Sequence, residues 1–236
     1  MKTTTVVFVM LSILSLGLIA VPPFPGIAVI RMAPTLVLVV AALGATRTAF
    51  GITVAAGLFF GAWGDYFLNT FDADLAIYGV AAFLIGHVFY IVGFRRAGFA
   101  MSRGRWAIVA GLLVFAISYA AVLLIMNPMH PVSRILPFGP RGTPQLTPVA
   151  GPVIGYTVVL ITMASVAVLR RGSRVLAAGA LVFVASDAVI PLNVFLLPKA
   201  NPGDLFATTW LLYPGFFTYY LAQYLIARGA IREATA

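Results

Sequence analysis

The sequence predicts an all-α protein, a polytopic membrane bundle of about eight transmembrane helices with both termini in the cytoplasm. Three observations predict it. First, 62% of the 236 residues are hydrophobic and 9% charged, where a soluble domain is nearer half apolar and a quarter charged. Second, charge-poor windows of about 20 residues, the length that crosses a bilayer, follow one another along the whole chain. Third, Lys and Arg collect in clusters at alternate window ends, as the positive-inside rule requires. At that length per span there is room for at most about eight to ten helices and none for a soluble catalytic domain. The chain therefore reads as one integral membrane domain over 1–236, and any chemistry must use groups inside or at the edge of the bilayer.

Taken in order, the windows are about 5–21, 32–46, 49–70, 75–94, 106–126, 151–169, 174–197 and 207–228. Pro22, Pro23 and Pro25 stop the first, Asp72 and Asp74 follow the third, and Asn127-Pro128 ends the fifth. Lys2 before an apolar run resembles the start of a signal peptide. No small-x-small cleavage site precedes the prolines, so the first window is read as a retained helix. An N-terminus inside puts eleven of the 15 basic residues on the cytoplasmic side and leaves Arg31, Arg134, Arg141 and Lys199 outside. An odd number of spans would strand a basic cluster on the wrong side. The formal charge of +9 is thus spread over membrane-facing clusters, and anionic lipid headgroups, with no nucleic acid, are the expected partner. Between Asn127 and Gly151 six prolines forbid a continuous helix, and Ile135, Leu136, Phe138 and Leu146 suit a lid or interfacial loop on the outer surface as well as a plain linker.

Cysteine is absent, which excludes disulfides, thiolate nucleophiles, iron–sulfur clusters and thiolate zinc sites. Of six acids, Asp65 and Asp187 fall within apolar windows, where an ionised carboxylate costs about 2.5–3.5 kcal/mol on insertion scales. Such a cost points to function, with a polar clamp between helices as the structural alternative. Each Asp follows a small residue, Gly64 or Ser186, and a Gly stands eight earlier, at 57 and 179. The third and seventh helices run in the same direction, four spans apart, as a parallel four-plus-four repeat would require. His87 and Tyr90 share a face of the fourth helix, Asn69 lies one turn after Asp65, and Gln223 lies one turn after Tyr219 and Tyr220 on the eighth. Tyr and Gln also serve as interhelical hydrogen bonds, whereas His87 is the single histidine within the spans. Gly57, Gly61 and Gly64, with Gly79, Gly86 and Gly93, suit close packing of the third helix on the fourth.

Two carboxylates in a partly wet, low-dielectric site can divide acid and base work, as hydrolysis through an oxocarbenium ion needs. Paired intramembrane acids also carry protons in transporters, so a proton-coupled small-molecule or lipid transporter is the alternative. A scaffold without catalysis is the third reading. The Gly-x-Gly-Asp of intramembrane aspartyl proteases is absent, Lys2 and Lys199 are misplaced for a retinal Schiff base, and His130 lies in a loop, away from any paired-histidine haem site. A zinc site would need His87 with the two aspartates, or His130 folded in. No metal or other cofactor is expected.

From Gly57 onward the sequence resembles the lysoplasmalogenase (YhhN-like) family of multi-pass membrane proteins. The resemblance rests on Gly64-Asp65 and Leu68; Gly79, Phe83, Gly86-His87 and Tyr90; Pro148-Val149, Tyr156 and Met163; Gly179, Phe183, Ser186-Asp187 and Phe195; and Tyr219-Tyr220 with Ala222-Gln223. It implies an eight-helix cell-membrane hydrolase that cleaves the vinyl ether bond of a lysophospholipid, the lysoplasmalogen, to a fatty aldehyde and a glycerophospho-alcohol. On that basis Asp65 and Asp187 take the acid and base roles. His87, Tyr90, Asn69, Tyr219, Tyr220 and Gln223 would orient water and bind headgroup or glycerol oxygens. The family's Lys-Pro near the start of the second helix is Ala33-Pro34 here, with Arg31 two positions earlier as the cation for a substrate phosphate, a planar fork instead of a point charge.

Overall fold

A computed structural model describes residues 2–70, 73–126, 150–193 and 210–235. Eight α-helices run through them: α1 Lys2–Gly17, extended by a 3-10 turn Leu18–Ala20, α2 Ile27–Ala45, α3 Ala49–Leu68, α4 Ala73–Arg95, α5 Arg103–Met126, α6 Ala150–Leu169, α7 Arg174–Pro191 and α8 Leu212–Thr235. Among the described residues there is no strand, and one isolated bridge pairs Phe99 with Arg170. Six of these segments, from α1 to α5 together with α7, are long and apolar enough to cross a membrane. In α8 the polar last turns lower the hydropathy, and α6 offers a shorter apolar stretch, Ile154–Leu169. Val40, Met10, Ile117 and Val114 are among the large apolar side chains on the outer surface, the arrangement that lipid tails tolerate and water does not.

The second and eighth helices differ from expectation. The second helix begins at Ile27, not 32: Gly26, at the N-cap, takes a left-handed conformation (φ 95°) that glycine adopts without strain and turns the chain into the helix directly after the prolines. Arg31 and Pro34 therefore lie inside α2, and Arg31 is buried. Pro34 deprives the Ile30 carbonyl of its helical donor, a defect that membrane bundles tolerate where neighbours supply hydrogen bonds. On the adjacent carbonyl, that of Arg31, the Tyr220 hydroxyl donates at 2.8 Å. In the seventh helix the α conformation runs to Pro191, and residues 194–197 of the expected window lie outside the described residues; the eighth spans Leu212–Thr235 instead of 207–228. The connection at 127–149, together with Arg134, Arg141, His130, Asp72, Phe195, Lys199 and Asp204, lies outside the described residues.

Side-chain caps begin α3 and α7. Thr48 accepts from the Gly51 amide at 3.1 Å and Ser173 from the Leu176 amide at 3.4 Å. Packing is most extensive between α3 and α4 and between α7 and α8; α2 packs on α3 and α8, and α6 on α7 and α4. Glycine makes both of the closest pairings possible. A Cβ on Gly86 would stand 2.9 Å from the Gly57 carbonyl oxygen, and one on Gly179 would stand 2.9 Å from both the Ala222 carbonyl and the Ile226 amide. Backbone cannot yield as a side-chain tip does. We expect Gly86→Ala to cost about 1–3 kcal/mol by forcing α3 and α4 apart. Gly111→Ala, where nothing lies within 4 Å, should be neutral or stabilising by about 0.5–1 kcal/mol. Thermal unfolding in detergent measures both, and equal midpoints would refute the packing account.

At one end of the bundle Phe50 of α3, Phe94 of α4, Arg105 of α5, Arg170 after α6, Ser173 before α7 and Glu233 of α8 converge. At the other, Leu18 after α1, Arg31 of α2 and Asn69 after α3 meet. Consecutive helices alternate in direction, and the end built around Arg170 is the one to which the charge count assigns the cytoplasm.

Candidate active site

Asp65 sits on the glycine-lined side of α3 and is 3% exposed. One of its oxygens, Oδ2, accepts two hydroxyls, from Thr35 of α2 at 2.9 Å and from Tyr219 of α8 at 2.8 Å. Behind Tyr219 the chain continues one helical turn on. The Gln223 amide nitrogen donates to the Tyr219 oxygen at 3.1 Å, and the Tyr90 hydroxyl of α4 donates to Gln223 Oε1 at 2.6 Å. An amide nitrogen donates and cannot accept, and a phenol has one proton, so Tyr219 must pass its proton on to the carboxylate. Every hydrogen from Tyr90 through Gln223 and Tyr219 thus points toward Asp65. Small residues on α3 make room for this: a Cβ on Gly61 would approach Gln223 Nε2 to 2.7 Å, and one on Gly57 would meet the Tyr90 ring.

Asp187 on α7 is partly exposed, and its Oδ2 accepts the Tyr156 hydroxyl of α6 at 2.5 Å. The neighbouring Ser186 hydroxyl donates to the Gly215 carbonyl at 3.0 Å and ties α7 to the first turn of α8. Between the two acids runs a row of rings. Tyr219 meets Phe183 edge to face at 5.6 Å, Phe183 meets His87 at 4.8 Å, and His87 meets Tyr156 at 5.6 Å. His87 is 2% exposed. Neither ring nitrogen makes a well-formed hydrogen bond, the carbonyl of Phe83 one turn back offering only a weak one. A buried imidazole in that condition carries an unmet polar group, which a ligand or water in the site would satisfy.

The family profile of the YhhN family matches residues 26–230, which takes in all of α2 to α7 and most of α8. The chain belongs to the YhhN family. That family includes lysoplasmalogenases. No curated protein and no solved structure matches the chain. Every residue of the network around Asp65 and Asp187 falls within the stretch that the family profile covers.

The remaining residues singled out from the sequence form a neighbouring cluster in this YhhN-family bundle. Arg31 Nη1 donates to Asn69 Oδ1 at 2.5 Å, and Asn69 in turn donates to the Asp65 backbone carbonyl at 2.6 Å. A second guanidinium nitrogen reaches the Leu18 carbonyl at 3.4 Å, and the Phe216 ring lies 5.3 Å from the guanidinium carbon. Asn69 caps α3 beyond its last turn instead of lying within it. Because Tyr220 gives its one proton to the Arg31 carbonyl, the Ser15 hydroxyl is the donor in the 2.7 Å contact between Ser15 and Tyr220. Arg31 and Asn69 thus grip the outer end of α3 and the backbone of Asp65 and Tyr220 ties α8 to α2 and α1, while Tyr90, Tyr219 and Gln223 serve the Asp65 carboxylate. Two partners of the acids were missed. Thr35 is a lone hydroxyl in an apolar helix, a signal present but weak, and Tyr156 was visible only as part of the family pattern. Among the described residues no three His, Asp or Glu side chains gather as a metal-binding group would need.

Proposed function

We propose that this protein is a lipid hydrolase of the cell membrane that cleaves the vinyl ether bond of lysoplasmalogens, releasing a fatty aldehyde and a glycerophospho-alcohol. One observation carries the reading: two carboxyls from parallel helices α3 and α7 each receive a tyrosine hydroxyl and are joined by a row of touching rings, Tyr219, Phe183, His87 and Tyr156, inside a bundle whose outer surface is apolar. Vinyl ether hydrolysis needs a proton delivered to carbon, a neighbouring anion to support the oxocarbenium ion, and a base for water. Two carboxyls supply all three without a further group. Membership of a family that includes lysoplasmalogenases supports the same chemistry. A single-chain lipid can reach such a site sideways from the bilayer, its tail left among apolar side chains and its headgroup near the end where Arg31 and Asn69 lie.

The test is aldehyde release by the purified protein in detergent. We expect an alkenyl lysophospholipid to yield one aldehyde per glycerophospho-alcohol, and an acyl lysophospholipid of the same headgroup to be spared. A chelator should leave the rate unchanged. A folded sample that releases aldehyde from no ether lysolipid would end the hydrolase reading.

A further inference from the structure

The two halves of the site correspond residue by residue, and where they differ assigns the roles of the two acids. Gln223 rests against Gly61, four residues before Asp65; His87 rests against Phe183, four residues before Asp187. Four residues before Gln223 is Tyr219 and four before His87 is Phe83, and those two rings meet edge to face at 5.7 Å. One hydroxyl reaches each acid from the helix before it, Thr35 from α2 and Tyr156 from α6. The helix pairings correspond as well, α3 with α4 as α7 with α8, and α2 with α8 as α6 with α4.

Against this background the differences stand out. In the Asp65 half, Tyr219 and Gln223 add donors, so that a single carboxylate oxygen accepts two hydroxyls at the end of a directed relay. In the other half the counterparts are Phe83, which has no donor, and His87, which gives none to Asp187. Asp187 is left with one hydroxyl and partial exposure, while Asp65 is nearly sealed. Burial by itself disfavours the Asp65 anion, and the two hydroxyls aimed at its Oδ2 are what offset that cost. A carboxyl with few donors and an open side is the one that can carry a proton to a substrate atom.

We propose that Asp187 protonates the vinyl carbon and that Asp65, as the anion, supports the oxocarbenium ion and takes the proton of the attacking water. The inference rests on the hydrolase reading. In the first step the carbon–carbon π pair takes the Asp187 proton at the carbon remote from oxygen, and an oxygen lone pair forms the C=O⁺ bond. Water then adds to the cationic carbon and its proton passes to Asp65, giving the neutral hemiacetal. In the last step the hemiacetal hydroxyl returns a proton to Asp187 as the carbonyl forms. The bond to the glycerol oxygen breaks, and that oxygen takes the proton held by Asp65. Both acids end as they began, with one water consumed.

The pH dependence of kcat/KM separates the roles. A required acid makes the rate fall as pH rises, and a required base makes it fall as pH drops. We expect Asp187→Asn to lose about 10²- to 10⁴-fold and the high-pH fall with it, and Asp65→Asn to lose as much and the low-pH fall with it. Gln223→Met, which cuts the relay behind Tyr219 and leaves both carboxyls in place, weakens the donation to the Asp65 anion, so it should move the low-pH fall to higher pH and leave the high-pH fall in place, and it guards against misfolding of the aspartate variants. The opposite pattern, or both falls unchanged in every variant, overturns the assignment. Wild-type protein inert toward the ether overturns the hydrolase reading itself.

Discussion

On the hydrolase reading, Asp65→Asn is expected to fold as the wild type does and to release aldehyde about 10²- to 10⁴-fold more slowly. The expectation follows from what the substitution keeps and what it removes. Asparagine has the shape of aspartate, and its carbonyl oxygen can still accept from Thr35 and Tyr219, so neither buried hydroxyl is orphaned. What disappears is the anion, and with it both the support for a positive carbon and the acceptor for a proton from water. Asp65→Leu differs in kind. It would leave the two hydroxyls without their acceptor in a site only 3% exposed, at about 1–3 kcal/mol for each unsatisfied group, and its loss of activity would be mixed with loss of fold. Aldehyde release read beside the unfolding midpoint distinguishes the two. An Asp65→Asn protein within tenfold of wild-type activity would remove Asp65 from the chemistry and leave it a clamp among α2, α3 and α8.

Glu233→Ala is expected to lower stability by about 3 kcal/mol, the lower end of the range for breaking a buried pair. Arg170 is 2% exposed and its fork meets both Glu233 oxygens, at 2.7 and 2.8 Å. Its Nε donates to the Phe94 carbonyl at 3.3 Å, and the guanidinium lies 4.8 Å from the centre of the Phe50 ring. Glu233 also accepts the Ser173 amide at the start of α7. Removing Glu233 strands a cation that cannot reach water and frees the last turn of α8 from α6 and α7. The glutamate side chain is 22% exposed, which sets the effect at the lower end of the range. Replacing both residues, as in Arg170→Met with Glu233→Leu, should cost less than either single change, because no uncompensated charge remains. Thermal unfolding of the three variants in detergent measures this; additive losses would show that the pair is not coupled.

Much of the bundle is legible in the sequence because crossing a membrane imposes a length and a polarity that a window can count. Each of the eight helices lies where an apolar window does, and the two acids of the candidate site announce themselves by standing inside such windows. His87 is legible for the same reason. The second helix is where that logic fails. A count of apolar residues breaks at Arg31, whereas the structure carries α2 through it because Asn69, Leu18 and Phe216 surround the guanidinium. At the chain's end, Arg232 and Glu233 look like a polar tail, and Glu233 is instead bound to Arg170, 63 residues away.

The sequence by itself determined the number of helices, their alternation and the two acids worth watching, since each depends on properties of residues near one another in the chain. Only the tertiary structure decided which hydroxyl serves which acid. Tyr219 reaches Asp65 across 154 residues and Tyr156 reaches Asp187 across 31, and such partnerships depend on how far each helix is rotated about its axis and how closely glycine lets it approach its neighbour. Rotation and approach are set by all the side chains in the contact at once, so no local pattern records them, and the unequal donor supply that separates Asp65 from Asp187 becomes visible only when the helices are packed.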